Sequence, residues 1–365
     1  MTKKILPMMI GAALAGGMTA AAADVSVFGH IDTSVDYVDT NPPGPSGPFG
    51  DGKDTNLNCT TCSIGFKGSE DLGNGLKAIF SIDFQYDTTE RNRVQATTVT
   101  VLTTAGTITT TISQGNGAIT DRDQWLGLSG GFGKVRVGTI STGYKSHGAM
   151  LDPLYRTSLQ GRDLGLQTSR FHSGAGEEAQ GRATNTFRWD SPNWNGVNVV
   201  AHYTLDNSES DGEDDNPYGI GASYENGGIL VFADYVTADG SIRTAPLPSN
   251  DVDSWKLGGK YTLSDFAVMG QYEAWSNNNA DNTQWMVSGS YTIGSNLIYA
   301  GYGNAQNENQ GGVEIDDIDS WTIAGVHSMS KNTSVYAGYN NQDDGNSAGS
   351  NINRDQFSLG MKHKF

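Results

Sequence analysis

Alternation with a period of two runs through most of this chain, in segments of roughly ten residues. Val25, Val27, Gly29, Ile31, Thr33, Val35 and Tyr37 alternate with Ser26, Phe28, His30, Asp32, Ser34 and Asp36. Leu76, Ala78, Phe80, Ile82, Phe84 and Tyr86 do the same against Lys77, Ile79, Ser81, Asp83 and Gln85. So do Trp285, Val287, Gly289, Tyr291 and Ile293 against Gln284, Met286, Ser288, Ser290 and Thr292. Successive side chains of a strand point to opposite faces, so each segment presents one apolar, aromatic face and one polar face. No helical period is sustained beyond the first residues. Alternation of this kind also fits a β-sandwich or an autotransporter passenger. The rhythm of the connections narrows the choice.

Short turn signals fall at Asp71–Gly75, Gly130–Gly133, Ser191–Gly196, Glu225–Gly228, Leu263–Asp265, Ile293–Asn296 and Ser330–Thr333. Between them lie longer polar stretches rich in Gly and Asp, such as Asn41–Asn58, Asn207–Asn216, Thr237–Asp251, Gln306–Asp317 and Asn341–Asn353. Two intervals are longer still, Thr88–Thr120 and Gly143–Gly181. Connections that alternate short and long belong to outer-membrane barrels, and eight up-down hairpins make about 16 strands. Lipid offers the backbone no hydrogen-bond partner, so the sheet must close on itself. At that strand number the lumen is too wide for side chains to fill and stays aqueous. The expected fold is therefore all-β, a transmembrane antiparallel up-and-down barrel.

Composition agrees once that geometry is in view. Hydrophobic residues make up 36% of the chain and the mean hydropathy is −0.43. Both values suit a barrel that shows lipid only every second strand residue. The start reads as an export signal: Lys3 and Lys4, an apolar stretch from Ile5 to Met18, then Ala21-Ala22-Ala23 before Asp24. Residues 1–23 are thus the expected signal peptide and 24–365 the barrel domain. A net charge of −17 argues against nucleic-acid binding. Cys59 and Cys62 form one C-x-x-C, expected as a local disulfide in a surface loop of an oxidising compartment. A metal site would need two more ligands, and none are spaced nearby. The six histidines are scattered without acid–base or metal spacing, which argues against an outer-membrane enzyme and implies no cofactor. At the end, Phe357, Leu359, Met361, His363 and the final Phe365 share one strand face.

The opening Asp24-Val25-Ser26-Val27-Phe28-Gly29, the segment Gly65–Ala78, the stretches Trp125–Gly130 and Phe132–Val135, Arg188–Pro192 and the closing Phe365 resemble the trimeric general porins of Gram-negative bacteria, in the neisserial and proteobacterial branch. The resemblance covers the whole chain after residue 23. It implies a 16-stranded barrel, a homotrimer, and passive diffusion of ions and small hydrophilic solutes. A substrate-specific outer-membrane channel is the other reading. It also implies that the outer-membrane assembly machinery reads the C-terminal strand with Phe357 and Phe365. The interval Gly143–Gly181 is similar to the porin loop that folds into the lumen, through Asp152-Pro153-Leu154-Tyr155 and Gln160-Gly161-Arg162-Asp163. One departure is Gly138-Thr139, where similar porins often carry Arg after the Gly.

An inward loop can set carboxylates against wall cations and so select ions. The expected acids are Asp152 and Asp163, beside Arg162, with Glu177 and Glu178 nearer the loop exit. Parity proposes the cations. Ile64 and Phe66 face lipid, so Lys67 faces the lumen; Val135 and Val137 face out, so Arg136 faces in; Phe187 and Trp189 face out, so Arg182 and Arg188 face in. Lys362 is a further, weaker candidate by the same rule. Lys134 and Lys364 fall in the vestibule. The acidic clusters Glu213-Asp214-Asp215 and Asp316-Asp317 lie in long loops, solvated or bridged by divalent cations to lipopolysaccharide. The interval Thr88–Thr120 is expected to extend as a hairpin that clasps a neighbouring subunit.

Overall fold

The computed structural model describes residues 24–41, 52–89, 94–103, 106–115, 119–164, 166–167, 181–205, 216–238, 252–277, 280–309, 314–346 and 352–365. The expected signal segment, Glu177, Glu178 and the Glu213–Asp215 cluster lie outside them. The first half contains strands β1 (Asp24–Asn41), β2 (Lys53–Cys59), β3 (Ser63–Gly73), β4 (Leu76–Tyr86), β5 (Val94–Thr103), β6 (Gly106–Gly115), β7 (Ile119–Gly130) and β8 (Gly133–Ser141). Helix α1 (Gly143–Ala149) follows, then β9 (Arg182–Asp190), β10 (Val197–Thr204), β11 (Tyr218–Asn226) and β12 (Ile229–Ala238). The rest of the wall is β13 (Val252–Leu263), β14 (Phe266–Asn277), β15 (Ala280–Ile293), β16 (Asn296–Asn309), β17 (Glu314–Ser328), β18 (Thr333–Asn346) and β19 (Ile352–Lys364).

Every wall strand pairs antiparallel with its neighbours, and β1 closes the ring. On one edge β1 meets β19, from His30 opposite Lys364 to Asn41 opposite Asn353. On the other it meets both β2 and β3, with Thr33 opposite Cys59 and His30 opposite Ser63. β2 and β3 are thus one wall strand interrupted at Thr60–Cys62, and the 17-stranded sheet is a barrel of sixteen wall strands. All seven short turns connect neighbouring strands where the sequence places them. The interval 88–120 carries a hairpin of its own, β5 on β6, outside the ring.

The cysteines sit elsewhere than expected. They lie in the wall, not in a surface loop, and their sulfurs are bonded across the interruption with Cα atoms 5.8 Å apart. Thr61, at φ +52°, turns the chain there.

Outward positions are exposed and apolar, as at Val25, Val27, Leu126, Ile220, Val268 and Leu359. Aromatic pairs bound this band near the long-loop ends, with ring centroids 5.1 Å apart for Trp255–Tyr272, 5.5 Å for Trp285–Tyr302 and 5.2 Å for Trp321–Tyr339. Phe266–Tyr291, at 4.2 Å, and Trp189–Trp194, at 6.3 Å, bound it near the short turns. Two aromatic girdles around an apolar belt are the outer surface of a membrane barrel.

Closure depends on close approach at one glycine. Gly29 and Phe365 exchange both backbone hydrogen bonds, at 3.0 and 3.1 Å. A Cβ on Gly29 would fall on the carbonyl oxygen of Ser63 and against the Phe365 ring. Gly29→Val should therefore cost about 1–3 kcal/mol through overpacking. The measurement is the temperature at which folded, fast-migrating protein converts to the unfolded band on gels. An unchanged temperature would mean that the seam is not where the barrel is closed.

Candidate pore constriction

The described residues 142–164 and 166–167 stay inside the barrel. Thr142 caps α1, its Oγ1 accepting from the Lys145 N–H at 3.3 Å. Successive turns after the helix carry Leu151, Leu154, Leu159, Leu164 and Leu166, all fully buried. They pack on Leu230, Phe232, Met269, Met286, Tyr299 and Tyr336, which occupy inward positions of β12, β14, β15, β16 and β18. Each buried leucine contributes about 2 kcal/mol, which offsets the entropy of fixing the segment.

Polar ties fix its orientation. The Tyr144 hydroxyl donates to Glu273 Oε2 at 2.7 Å and accepts from Ser254 Oγ at 3.1 Å. Lys256 Nζ donates to the Tyr144 carbonyl at 3.1 Å and pairs with Glu273 at 3.4 Å. His147 meets Asp234 at 2.9 Å. Further along, Gln356 donates to the Ser158 carbonyl at 3.0 Å and Lys362 to the Tyr155 carbonyl at 2.6 Å. Tyr336 accepts from the Ser158 N–H at 3.4 Å and donates to Asp32 at 2.8 Å.

Cavities flank the segment along the barrel axis. Toward the long-loop end, about 420 Å³ is lined by Asp36, Asp54, Asn58, Asp163, Arg354 and Gln356. Toward the short-turn end, about 530 Å³ is lined by His30, Asp152, Arg156, Lys362, Lys364 and Phe365. The first is acidic and the second basic. Arg156, at φ +62°, brings its guanidinium within 3.5 Å of the His30 ring and over Tyr155.

The wall opposite carries guanidinium–carboxylate pairs. Arg122 donates to Asp83 at 3.1 Å and to Gln85 at 2.6 Å. Arg182 donates to Asp123 at 2.7 Å, and Ser141 donates to the same oxygen at 2.9 Å. Arg136 and Arg188 are cross-strand neighbours and share Asp190, with Arg188 at 2.7 Å.

The expected residues are therefore dispersed. Arg136 and Arg188 come together, but the carboxylate they share belongs to their own wall. Lys67 lies opposite Ser26, toward the short-turn end of β3, over the Phe28 ring at 5.2 Å. Asp152 is turned into its own segment, accepting from the N–H groups of Leu154 and Gly161 at 2.8 Å each. Asp163, half exposed, accepts from Gln160 and has Arg162 at 3.7 Å. Among the described residues, neither acid faces Lys67, Arg136 or Arg188. Arg122, Lys145 and Arg156 from the cationic side, and Asp234, Lys256 and Glu273 from the anchoring side, were not foreseen.

Burial pushes the Asp152 carboxyl up to about 6, against the pull of its two N–H donors. A pKa raised on folding gives stability that is complete below the unfolded value and lost as pH rises through about 6. Asp152→Asn removes this dependence. The thermal midpoint of the native protein should fall relative to that variant between pH 4 and pH 7. Parallel profiles would show that Asp152 ionises normally.

A sequence model of Gram-negative porins matches residues 10–347. The chain is 26% identical to the major outer membrane protein P.IB of Neisseria lactamica, over 98% of this chain and 99% of that protein. It is 26% identical to outer membrane porin protein 32 of Delftia acidovorans, over 92% of this chain and 88% of that one. Among solved structures, an anion-selective porin from Comamonas acidovorans aligns with a TM-score of 0.71 at 22% identity, covering 94% of this chain and 100% of that one. Salmonella typhi OmpF, solved with daunomycin, aligns with a TM-score of 0.65 at 16% identity, over 93% and 97% of the two chains.

Proposed function

Because the chain belongs to the Gram-negative porin family, we propose that it passes small hydrophilic solutes through an eyelet whose field favours anions. The chain is an outer-membrane channel for passive diffusion, and the barrel is its wall. The anion preference rests on one observation. The inward segment brings Arg156 to the cavity on the short-turn side, beside Lys362 and Lys364, while its Asp152 is held by N–H groups of its own segment. Arg122, Arg182, Arg136 and Arg188 stand on the wall beside Asp83, Asp123 and Asp190, so that wall is close to neutral. Arg156, Lys362 and Lys364 then set the sign of the local field, and rings of charge at a constriction select ions in this way. The Comamonas relative, described as anion-selective, supports the same sign.

The working unit is a homotrimer, as the trimer form of Vibrio cholerae OmpT supports for a barrel of this fold. Residues 1–23 direct export, and the strand ending at Phe365, with Phe357 on the same face, is what the assembly machinery reads. The acidic long loops face lipopolysaccharide.

Planar-bilayer recording of the purified protein in a potassium chloride gradient tests the reading. The reversal potential should carry the sign of an anion-favouring pore. Arg156→Ala should move it toward zero or beyond and enlarge the conductance, because it removes a cation and its bulk from the basic cavity. A cation-favouring reversal potential in the native protein would sink the anion preference. No conductance at all would count against the channel.

A further inference from the structure

Within the inward segment lies a small cavity of about 10 Å³, between α1, the turns after it and β13. Its lining among the described residues includes Lys145, Tyr155, Arg162, Gln167 and Lys256, which is three cations and no carboxylate. Two of the cations have counter-charges at hand. Lys256 has Glu273 at 3.4 Å and the Tyr144 carbonyl at 3.1 Å. Arg162 has Asp163 at 3.7 Å and lies over the Tyr155 ring at 5.4 Å.

Lys145 differs. It is 4% exposed, and its ammonium nitrogen has no hydrogen-bond partner among the described residues. The carboxylate that favours its charge, Asp123, is held by Arg182 and Ser141. Isolated burial of an ammonium is strongly unfavourable, so the group must either lose its proton or find an anion. Gln167 donates to the Gly148 carbonyl at 3.0 Å, which leaves its second amide hydrogen available beside the cavity.

We propose that this cavity is a resident site for one monatomic anion, a halide, held by Lys145 with Arg162, Lys256 and the Gln167 amide around it. Size sets the class of ligand. A space of about 10 Å³ holds roughly one water-sized particle and excludes sulfate, phosphate and carboxylates. Charge sets the sign, since three cations and no carboxylate line it among the described residues. Burial and the neighbouring Arg182 and Arg162 hold the Lys145 ammonium well below the usual lysine range, and a bound anion would reverse that pressure. The site differs from the open eyelet. It lies between α1 and the turn carrying Tyr155, so the ion ties two parts of the inward segment together.

The test uses purified full-length protein and does not depend on conductance. Crystals grown in sodium bromide should show an anomalous peak within hydrogen-bonding distance of Lys145 Nζ. Thermal unfolding at equal ionic strength should shift upward in sodium chloride or bromide relative to sodium gluconate. Lys145→Met should remove that shift, and Lys145→Gln repeats the test should Met prevent folding. No bromide peak, or a halide shift that survives both substitutions, overturns the site and leaves Lys145 as a neutral, hydrated amine. A bromide peak in a protein whose reversal potential favours cations would uphold the site while removing the anion preference of the pore.

Discussion

The seam along β1 carries the rest of the structure. A sheet in lipid cannot keep an open edge, because hydrocarbon offers nothing for the unpaired N–H and C=O groups. β1 supplies both ends of the closure, pairing with β19 on one side and with β2 and β3 on the other. That double role is why the wall tolerates an interruption beside it. Thr60, Thr61 and Cys62 leave the ladder, yet β2 and β3 both remain registered on β1. The Tyr86 N–H donates to the Cys62 carbonyl at 3.0 Å, so the interruption does not strand that oxygen. The Cys59–Cys62 bond spans the insertion.

A ring of sixteen strands leaves an interior its wall residues do not fill, and the segment 142–167 takes up part of that space. The segment stays because one sector of the inner wall is apolar. In the sequence that sector breaks the alternation. Ile229-Leu230-Val231-Phe232, Val268-Met269, Trp285-Met286-Val287 and Leu297-Ile298-Tyr299 are apolar on both parities. One parity meets lipid and the other meets the leucines of the segment. The dock was therefore written in the sequence as failures of period two. It is legible only to a reading that asks what an apolar inward residue would touch.

The barrel itself was readable because alternation, turn chemistry and closure are local rules repeated along the chain. The constriction was not, for three physical reasons. Parity gives a side of the wall but no height, and Lys67 lies opposite Ser26 near one end of its strand. Parity also fails across a bulge. Counting back from Leu128 and Leu126 puts Arg122 toward lipid, but the register slips opposite Asp83, and both Arg122 and Asp123 turn inward. Finally, Asp152 is withdrawn by N–H donors from its own segment, a loop geometry that leaves no periodic trace. At Gly138-Thr139, the φ of +139° and a Cβ that would strike the Gln124 carbonyl explain the Gly, and not the Thr139 that stands where similar porins often carry Arg.

Net charge is the wrong quantity for predicting what such a pore admits. The chain carries −17 overall, but an ion in the lumen responds to charges within about 8–10 Å, the screening length at physiological salt. The acidic groups that dominate the total include Asp39, Asp54, Asp253, Asp319 and Asp343, which lie toward the long-loop ends of their strands. The wall carboxylates Asp83, Asp123 and Asp190 are already engaged by guanidinium groups. Among the described residues, the inward segment brings Arg156 to a basic cavity on the short-turn side and Asp163 to an acidic one on the long-loop side. An anion entering from the long-loop side thus meets repulsion first and attraction after. The field along the axis is polar, and the current it carries should depend on the direction of the applied voltage.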